Sequence, residues 1–362
     1  MLVHDDSNGS ALFVKIITIN RILLVTLVIL VIVEHVSMNT LVEFGIVLIQ
    51  FLQTMSPALD GPMHVISFMG TTEFYLILIP LLYWTVSKRL GIRVLLILVS
   101  TDFVGIFFKQ LLHQPRPYWV SDQVQLLSTD KTYGIPSTHA SDSLAVWGYL
   151  AYQVRRGWFW IATTVLVFLI GLSRLYLGVH FPHDVLFGWI VGGVVLLLFI
   201  TAEQRLTPWL QVQSAGTLIG LGFGVSVAIV LLGLLGGAII SGAPDPAAWA
   251  SFAVHSRSPA GFFTLGGGLF GSVTGYVLMQ QHARFRMDGS WVQRAGRFLL
   301  GMVGVLLCWQ GLSILFEFVT ADETASGYVL RYIRYAVTTF WAMFGAPWVF
   351  LRVKLAAGET GD

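Results

Sequence analysis

Three short segments bring cations, histidines and a carboxylate to the ends of apolar runs. They are Lys109-Gln-Leu-Leu-His-Gln-Pro-Arg116-Pro117, Pro136-Ser137-Thr138-His139, and Ser173-Arg174 followed by His180 and Asp184. This is the inventory needed to hold a phosphate and break its ester bond. A phosphoryl group is negatively charged, and its transfer depends on positioning and charge stabilisation. Lys109, Arg116 and Arg174 supply charge, and planar guanidinium forks match phosphate oxygens. One histidine must attack phosphorus while another protonates the leaving oxygen. His180 and Asp184 stand four residues apart, close enough for the carboxylate to accept from the imidazole. That contact fixes the tautomer and leaves the other ring nitrogen as a lone-pair nucleophile.

The elements that must position these groups are helix ends. Lys109 closes an apolar run, and Pro115 and Pro117 stop that helix from continuing through Arg116. Ser137 or Thr138 is a natural N-cap for the next helix. The free N–H groups beyond it suit an anion, with His139 beside that anion to give or take a proton. Pro182 suits a first helical position and Asp184 a first turn. Each segment alone has a plain reading: a snorkelling Lys–Arg pair, a capped helix with an interfacial histidine, and a salt-bridged Arg174. Jointly they converge on phosphate chemistry.

Composition sets the medium. The 362 residues are 56% hydrophobic and 11% charged, against about 25% charged in soluble domains, and mean hydropathy is +0.76. Spans are expected at roughly 12–35, 72–88, 90–112, 140–154, 158–179, 183–204, 214–240, 260–281, 295–319 and 327–351, several of them near or beyond the ~20 residues that cross a bilayer. Strand alternation is absent, so the fold class is all-α, a polytopic transmembrane helical bundle of about ten spans. The run 42–56, interrupted by Glu43 and Gln50, is expected to lie at the interface or re-enter. The first span reads as an uncleaved helix, because Glu34-His35 follows it rather than a small-residue cleavage site.

Three regions are expected: 1–56, an N-terminal helix and interfacial segment; 57–205, the phosphatase core; and 206–362, a helical extension beginning near Thr207-Pro208. In that extension Gly267, Gly271 and Gly275 recur every four residues, a spacing that lets helices approach closely. The main expectation for that stripe is packing within the chain, with a homodimer interface as the alternative. Net charge of +2 gives no sign of nucleic acid. The single Cys308 excludes an intrachain disulfide. The chain has no H-E-x-x-H and no run of carboxylates suited to magnesium, so no cofactor or metal is expected.

Cation placement orients the bundle. Lys88, Arg89 and Arg93, then Arg155 and Arg156, Arg205, the arginines at 284–297, and Arg352 with Lys354 fall on one side of alternating spans, together with Lys15. The positive-inside rule makes that side, and both termini, cytoplasmic. The three motif segments fall on the opposite, extracytoplasmic face of a plasma or inner membrane.

These residues resemble the type-2 phosphatidic acid phosphatase superfamily, whose pattern is K-x6-RP, PSGH and SR-x5-H-x3-D. The resemblance covers about 60 to 205, roughly two-fifths of the chain. It implies a metal-independent membrane phosphatase acting on lipid phosphates, with a six-helix phosphatase-type core. By motif, His180 is the nucleophile that forms a phosphohistidine, Asp184 orients it and His139 protonates the leaving group. Lys109, Arg116, Ser137 and Arg174 hold the phosphate, with the backbone of Thr138 helping. Thr138 stands where the family pattern has glycine. The sphingosine-1-phosphate phosphatase branch looks similar in carrying Pro-Ser-Thr-His and a longer membrane region.

The expected partners are therefore the bilayer and a lipid phosphate substrate. The expected function is hydrolysis of a lipid phosphomonoester or diphosphate, the alternative a non-catalytic lipid-phosphate binder or transporter using the same cradle. A vanadate-dependent oxidation follows from the related haloperoxidase site alone. His113 and His183 lie within the motif segments but at variable positions, and neither is expected to act. His255 and Arg257, in the outer loop 241–259, are candidates for capping the headgroup, against a solvated loop.

Overall fold

A computed structural model describes residues 38–359. The expected span 12–35, Lys15 and the amino terminus lie outside the described residues.

The described residues form helices joined by turns and loops, with one isolated β-bridge between Phe285 and Gly358. Helix α1 (Met38–Gln53) is a short apolar helix. α2 (Asp60–Phe68) and α3 (Thr72–Leu81, continued by a π turn at Leu82–Val86) form a pair bent by 53°. The break lies at Met69-Gly70-Thr71, where the Thr71 hydroxyl accepts from Phe74 N at 3.2 Å and starts the second limb. α4 (Lys88–Leu112) begins at the Ser87 cap and ends with His113 in the left-handed region, φ 33°. α5 (Pro117–Val120) is a single turn, and a loop over 121–137 leads to α6 (Thr138–Val154). α7 (Gly157–Tyr176) and α8 (Pro182–Gln211) run back and forth beside it.

The extension comprises α9 (Ala215–Ile240), α10 (Ala260–His282), α11 (Trp291–Leu306, then a π turn and α12, Leu312–Glu317), α13 (Ala325–Phe340) and, after a second π turn, α14 (Ala346–Arg352). Among the described residues six helices are long and apolar enough to cross a membrane, or seven if the bent pair is one span. The expected number was about ten. Helix α6 has 17 residues, and its Ser141, Asp142 and Ser143 are buried by neighbouring helices rather than facing lipid. The 325–352 segment is interrupted by a π turn and carries Arg331 and Arg334.

Glycines set the closest contacts. On α8, a Cβ at Gly192 would lie 2.4 Å from the Ser141 carbonyl oxygen, and one at Gly188 would lie 2.5 Å from that of Ser137. The stripe on α10 is taken up within the chain, since Cβ atoms at Gly267 and Gly271 would meet the Tyr332 and Ala336 carbonyl oxygens at 2.2 and 2.0 Å. Trp84 and Tyr83, both fully buried, tie the first half to the second by donating to the Ala342 and Met343 carbonyls at 2.9 and 3.0 Å.

The two ends of the bundle differ in charge. At one end Lys88 bonds the Phe285 carbonyl and Glu359, Arg93 pairs with Glu203 at 2.6 Å, and Arg297 donates to the Arg286 and Asp288 carbonyls. The three motif segments meet at the other.

Candidate active site

The C-terminal end of α4, the N-terminal ends of α6 and α8, and the 177–181 turn converge because each helix stops or starts there for a local reason. Pro115 and Pro117 end α4, Ser137 precedes α6, and Pro182 opens α8. All eight candidate residues come together: Lys109, Arg116, Ser137, Thr138, His139, Arg174, His180 and Asp184.

His180 is fully buried and its Nδ1 donates to Asp184 Oδ2 at 3.1 Å. That same oxygen accepts from Phe181 N at 2.9 Å, the reach-back of a helix first turn. An ionised carboxylate is acceptor-only, so Nδ1 carries the proton and Nε2 keeps its lone pair, which receives Arg116 Nη1 at 3.2 Å. Burial, then the charges of Arg116, Lys109 and Arg174, hold the His180 imidazole well below its usual value. A Cβ at residue 134 would sit 3.1 Å from Asp184 Oδ2 and 2.7 Å from the Pro115 carbonyl oxygen, so Gly134 lets the loop close over the carboxylate.

Fully buried Arg116 is held on every side: Nε by the Thr132 carbonyl at 2.5 Å, Nη1 by that of Val179 at 2.8 Å, and Nη2 by the Thr132 hydroxyl at 2.9 Å and the Tyr133 carbonyl at 3.1 Å. Lys109 Nζ donates to the carbonyls of Tyr133 and Gly134 at 2.6 and 3.1 Å. Arg174 Nη1 donates to Ser67 Oγ at 2.6 Å. Among the buried polar atoms around this cradle, Ser137 Oγ, His139 Nε2, Arg174 Nε and Asp184 Oδ1 have no hydrogen-bond partner. His139 stands within electrostatic reach of Arg174, Asp130, Lys109 and Arg116.

Thr138, in place of the family's glycine, directs its methyl away from this cluster. Its Cγ2 lies over Gly105 of α4, where a Cβ would approach within 2.8 Å. The extra bulk is accommodated by a glycine one helix away.

His113 caps α4, with Nδ1 at 3.2 Å from the Leu111 carbonyl, and His183 stacks on Phe181. Arg257 pairs with Asp245 at 2.9 Å, and Asp245 accepts from the Tyr133 hydroxyl at 2.9 Å, so Arg257 reaches the cradle through two intermediaries. His255 is exposed.

Sequence reasoning missed Asp130. Its Oδ2 lies 2.9 Å from Arg116 Nη2 and 3.7 Å from Arg174 Nη2. Burial alone would push its pKa up, but the charges of Arg116, Lys109 and Arg174 outweigh it and hold the carboxyl well below its ordinary range. It comes from a loop with no motif, so no local signal marked it. Gln53 was also missed: its Nε2 donates to the Gln125 and Tyr176 carbonyls, pinning that loop.

Residues 90–208 match the PAP2 superfamily, and residues 263–358 match the PAP2 superfamily phosphatase transmembrane extension. Lipid phosphate phosphatase delta of Arabidopsis thaliana is 26% identical over 42% of this chain and 40% of its own length. Human glucose-6-phosphatase 3 is 30% identical over 44% of this chain and 53% of its own. The chain thus spans about half the length of these curated relatives, or less. The crystal structure of a Bacillus subtilis PAP2-type phosphatidylglycerolphosphate phosphatase is 23% identical, covers 51% of this chain and 94% of that one, and has a TM-score of 0.42. With both segments matched in order and the three motifs gathered at one end of the bundle, the chain is an integral multi-pass membrane protein that carries a PAP2 superfamily domain followed by that superfamily's transmembrane extension.

Proposed function

We propose that the protein is a phosphatase hydrolysing a phosphomonoester or diphosphate of a lipid through a phosphohistidine at His180. The observation that carries this reading is the line Asp184–His180–Arg116, which fixes a neutral imidazole with its lone pair aimed into a cluster of cations. The phosphate replaces the Arg116 contact to Nε2. Lys109, Arg116 and Arg174 take its oxygens, and Ser137 Oγ and Arg174 Nε are the unpartnered atoms it would satisfy. The Nε2 lone pair attacks phosphorus, the bond to the lipid oxygen breaks, and His139 gives that oxygen a proton. Water then attacks phosphorus, His139 takes its proton, and the P–N bond electrons return to Nε2. Asp184 holds Nδ1–H throughout, offsetting charge on the phosphorylated ring.

The site faces the extracytoplasmic side and the C-terminus lies inside, as the cation-rich loops at the other end support. No step uses a metal. Purified protein is expected to release phosphate from one or more of phosphatidate, phosphatidylglycerol phosphate, undecaprenyl diphosphate and a sphingoid phosphate in EDTA. His180→Ala is expected to abolish this, and persistent release by that variant would overturn the assignment.

A further inference from the structure

Outside the cradle, two carboxylates are set into the helical core with no cation opposite them. Asp102 lies on α4 seven residues before Lys109, and Asp142 lies on α6 three residues after His139. Neither forms an ion pair among the described residues. Asp142 is 6% exposed and receives a long 3.5 Å contact from the adjacent Ser141 hydroxyl. Lys109 stands within electrostatic reach of both, yet spends its ammonium on the carbonyls of Tyr133 and Gly134. Within electrostatic reach of both acids stands Tyr75 of α3. It is 1% exposed, its hydroxyl has no hydrogen-bond partner, and both carboxylates act on it.

These three residues line a cavity of about 370 Å³ between the phosphatase core and α10 and α13 of the extension. Leu76, Ile79, Leu98 and Leu265 supply apolar wall. Exposed Glu73 lies at its edge, and Arg331 there is already paired with Asp322 at 2.7 Å. Ligand sites are commonly of this size, mostly apolar with a few convergent polar groups. Carboxylates within a membrane span are costly and mark function.

We propose that this cavity is a second ligand site, which takes the ammonium group and alkyl chain of a cationic amphiphile. A primary ammonium has three donors and no acceptor, matched by Asp102, Asp142 and the Tyr75 oxygen. The apolar wall takes the chain. A bare divalent metal fits less well: the described residues hold no group of three or more His, Cys, Asp or Glu side chains able to ligate one. By helix rise Asp102 lies about 10 Å along α4 from Lys109, so a ligand here is either the amine of a substrate seated in the cradle or a separate molecule. The inference goes beyond the phosphatase reading, and its binding test does not depend on turnover.

The test is binding of radiolabelled hexadecylamine to the full chain in phosphatidylcholine nanodiscs, with protein-free nanodiscs subtracted and hexadecanol as competitor. Expected are saturable binding, little displacement by hexadecanol, and at least tenfold weaker binding by Asp102→Asn and Asp142→Asn. Leu98→Trp, which fills the cavity and leaves the charges, should also abolish it. Elution volume and thermal unfolding confirm that each variant is folded. Unsaturable binding, equal displacement by hexadecanol, or folded Asn variants that bind like the parent would each overturn the proposal. Kinetics of the parent separate the two sources. Competition by hexadecylamine against an amine-bearing lipid phosphate, with phosphatidate hydrolysis spared, identifies the substrate's own amine, and an effect on both identifies a separate amphiphile.

Discussion

At His180 the two ring nitrogens face opposite charges, Asp184 on one side and Arg116 on the other. Burial and the surrounding cations keep the ring neutral, so the reactive form persists as pH falls below the usual imidazole value near ~6.5. The acidic limb of kcat/KM arising from His180 is therefore expected below pH ~6.5, and a pH–rate profile with that limb at or above ordinary imidazole values would contradict it. Asp130 places a carboxylate between Arg116 and Arg174, where on the proposed reading it competes with the substrate's phosphate. Asp130→Asn keeps the acceptor for Thr132 N and Oγ1 and removes the charge. KM for a lipid phosphate is expected to fall about fivefold, the equivalent of about 1 kcal/mol, and an unchanged or higher KM would exclude the competition. Thr138→Gly, freeing the contact over Gly105, is expected to lower stability by about 1 kcal/mol while phosphate release continues, as unfolding midpoints and turnover would show.

Helix ends do the positioning, and they are also what the sequence made readable. Proline, capping residues and apolar runs are local signals, so Lys109, Arg116, Ser137, His139, Arg174, His180 and Asp184 could be placed at helix termini on one face before any tertiary contact was known. Asp130 and Tyr133 could not, because they act from a loop whose course is set by Gln53 and Asp245, 72 and 112 residues away along the chain. Asp102 and Asp142 went unread in the sequence, because their approach to Tyr75 depends on packing of α3, α4 and α6. The count of about ten spans is not confirmed among the described residues, where six or seven helices are long and apolar enough to cross, and α6, with 17 residues, packs much of its surface against neighbouring helices. The glycine stripe of α10 carries a sharp expectation: Gly271→Ala forces a Cβ to 2.0 Å from the Ala336 carbonyl oxygen. Destabilisation of about 1–3 kcal/mol is expected, visible as a lower unfolding temperature, whereas an unchanged one would mean that α13 shifts freely.

Across the whole molecule, the extension and the core share the active-site loop. Tyr133 offers its carbonyl to Lys109 and Arg116 and its hydroxyl to Asp245, which Arg257 holds. Ser256 donates to the Lys131 carbonyl at 2.9 Å, and Trp249 packs on Trp119 and Tyr133. The second half of the chain thus straps the loop that shapes the cradle. Tyr133→Phe removes a part-buried hydrogen bond to Asp245 of about 1 kcal/mol and is expected to raise KM about fivefold with kcat less affected; a fall in kcat alone would place Tyr133 in the chemistry instead.

The central claim is that phosphorus passes through His180. Rapid acid-free quenching of the protein with a lipid phosphate labelled at phosphorus, followed by peptide mapping, tests it directly. The account predicts a base-stable, acid-labile label on His180 that chases into free phosphate and is missing from His180→Ala. Label on another residue, or phosphate release by His180→Ala at the parent's rate, would contradict it.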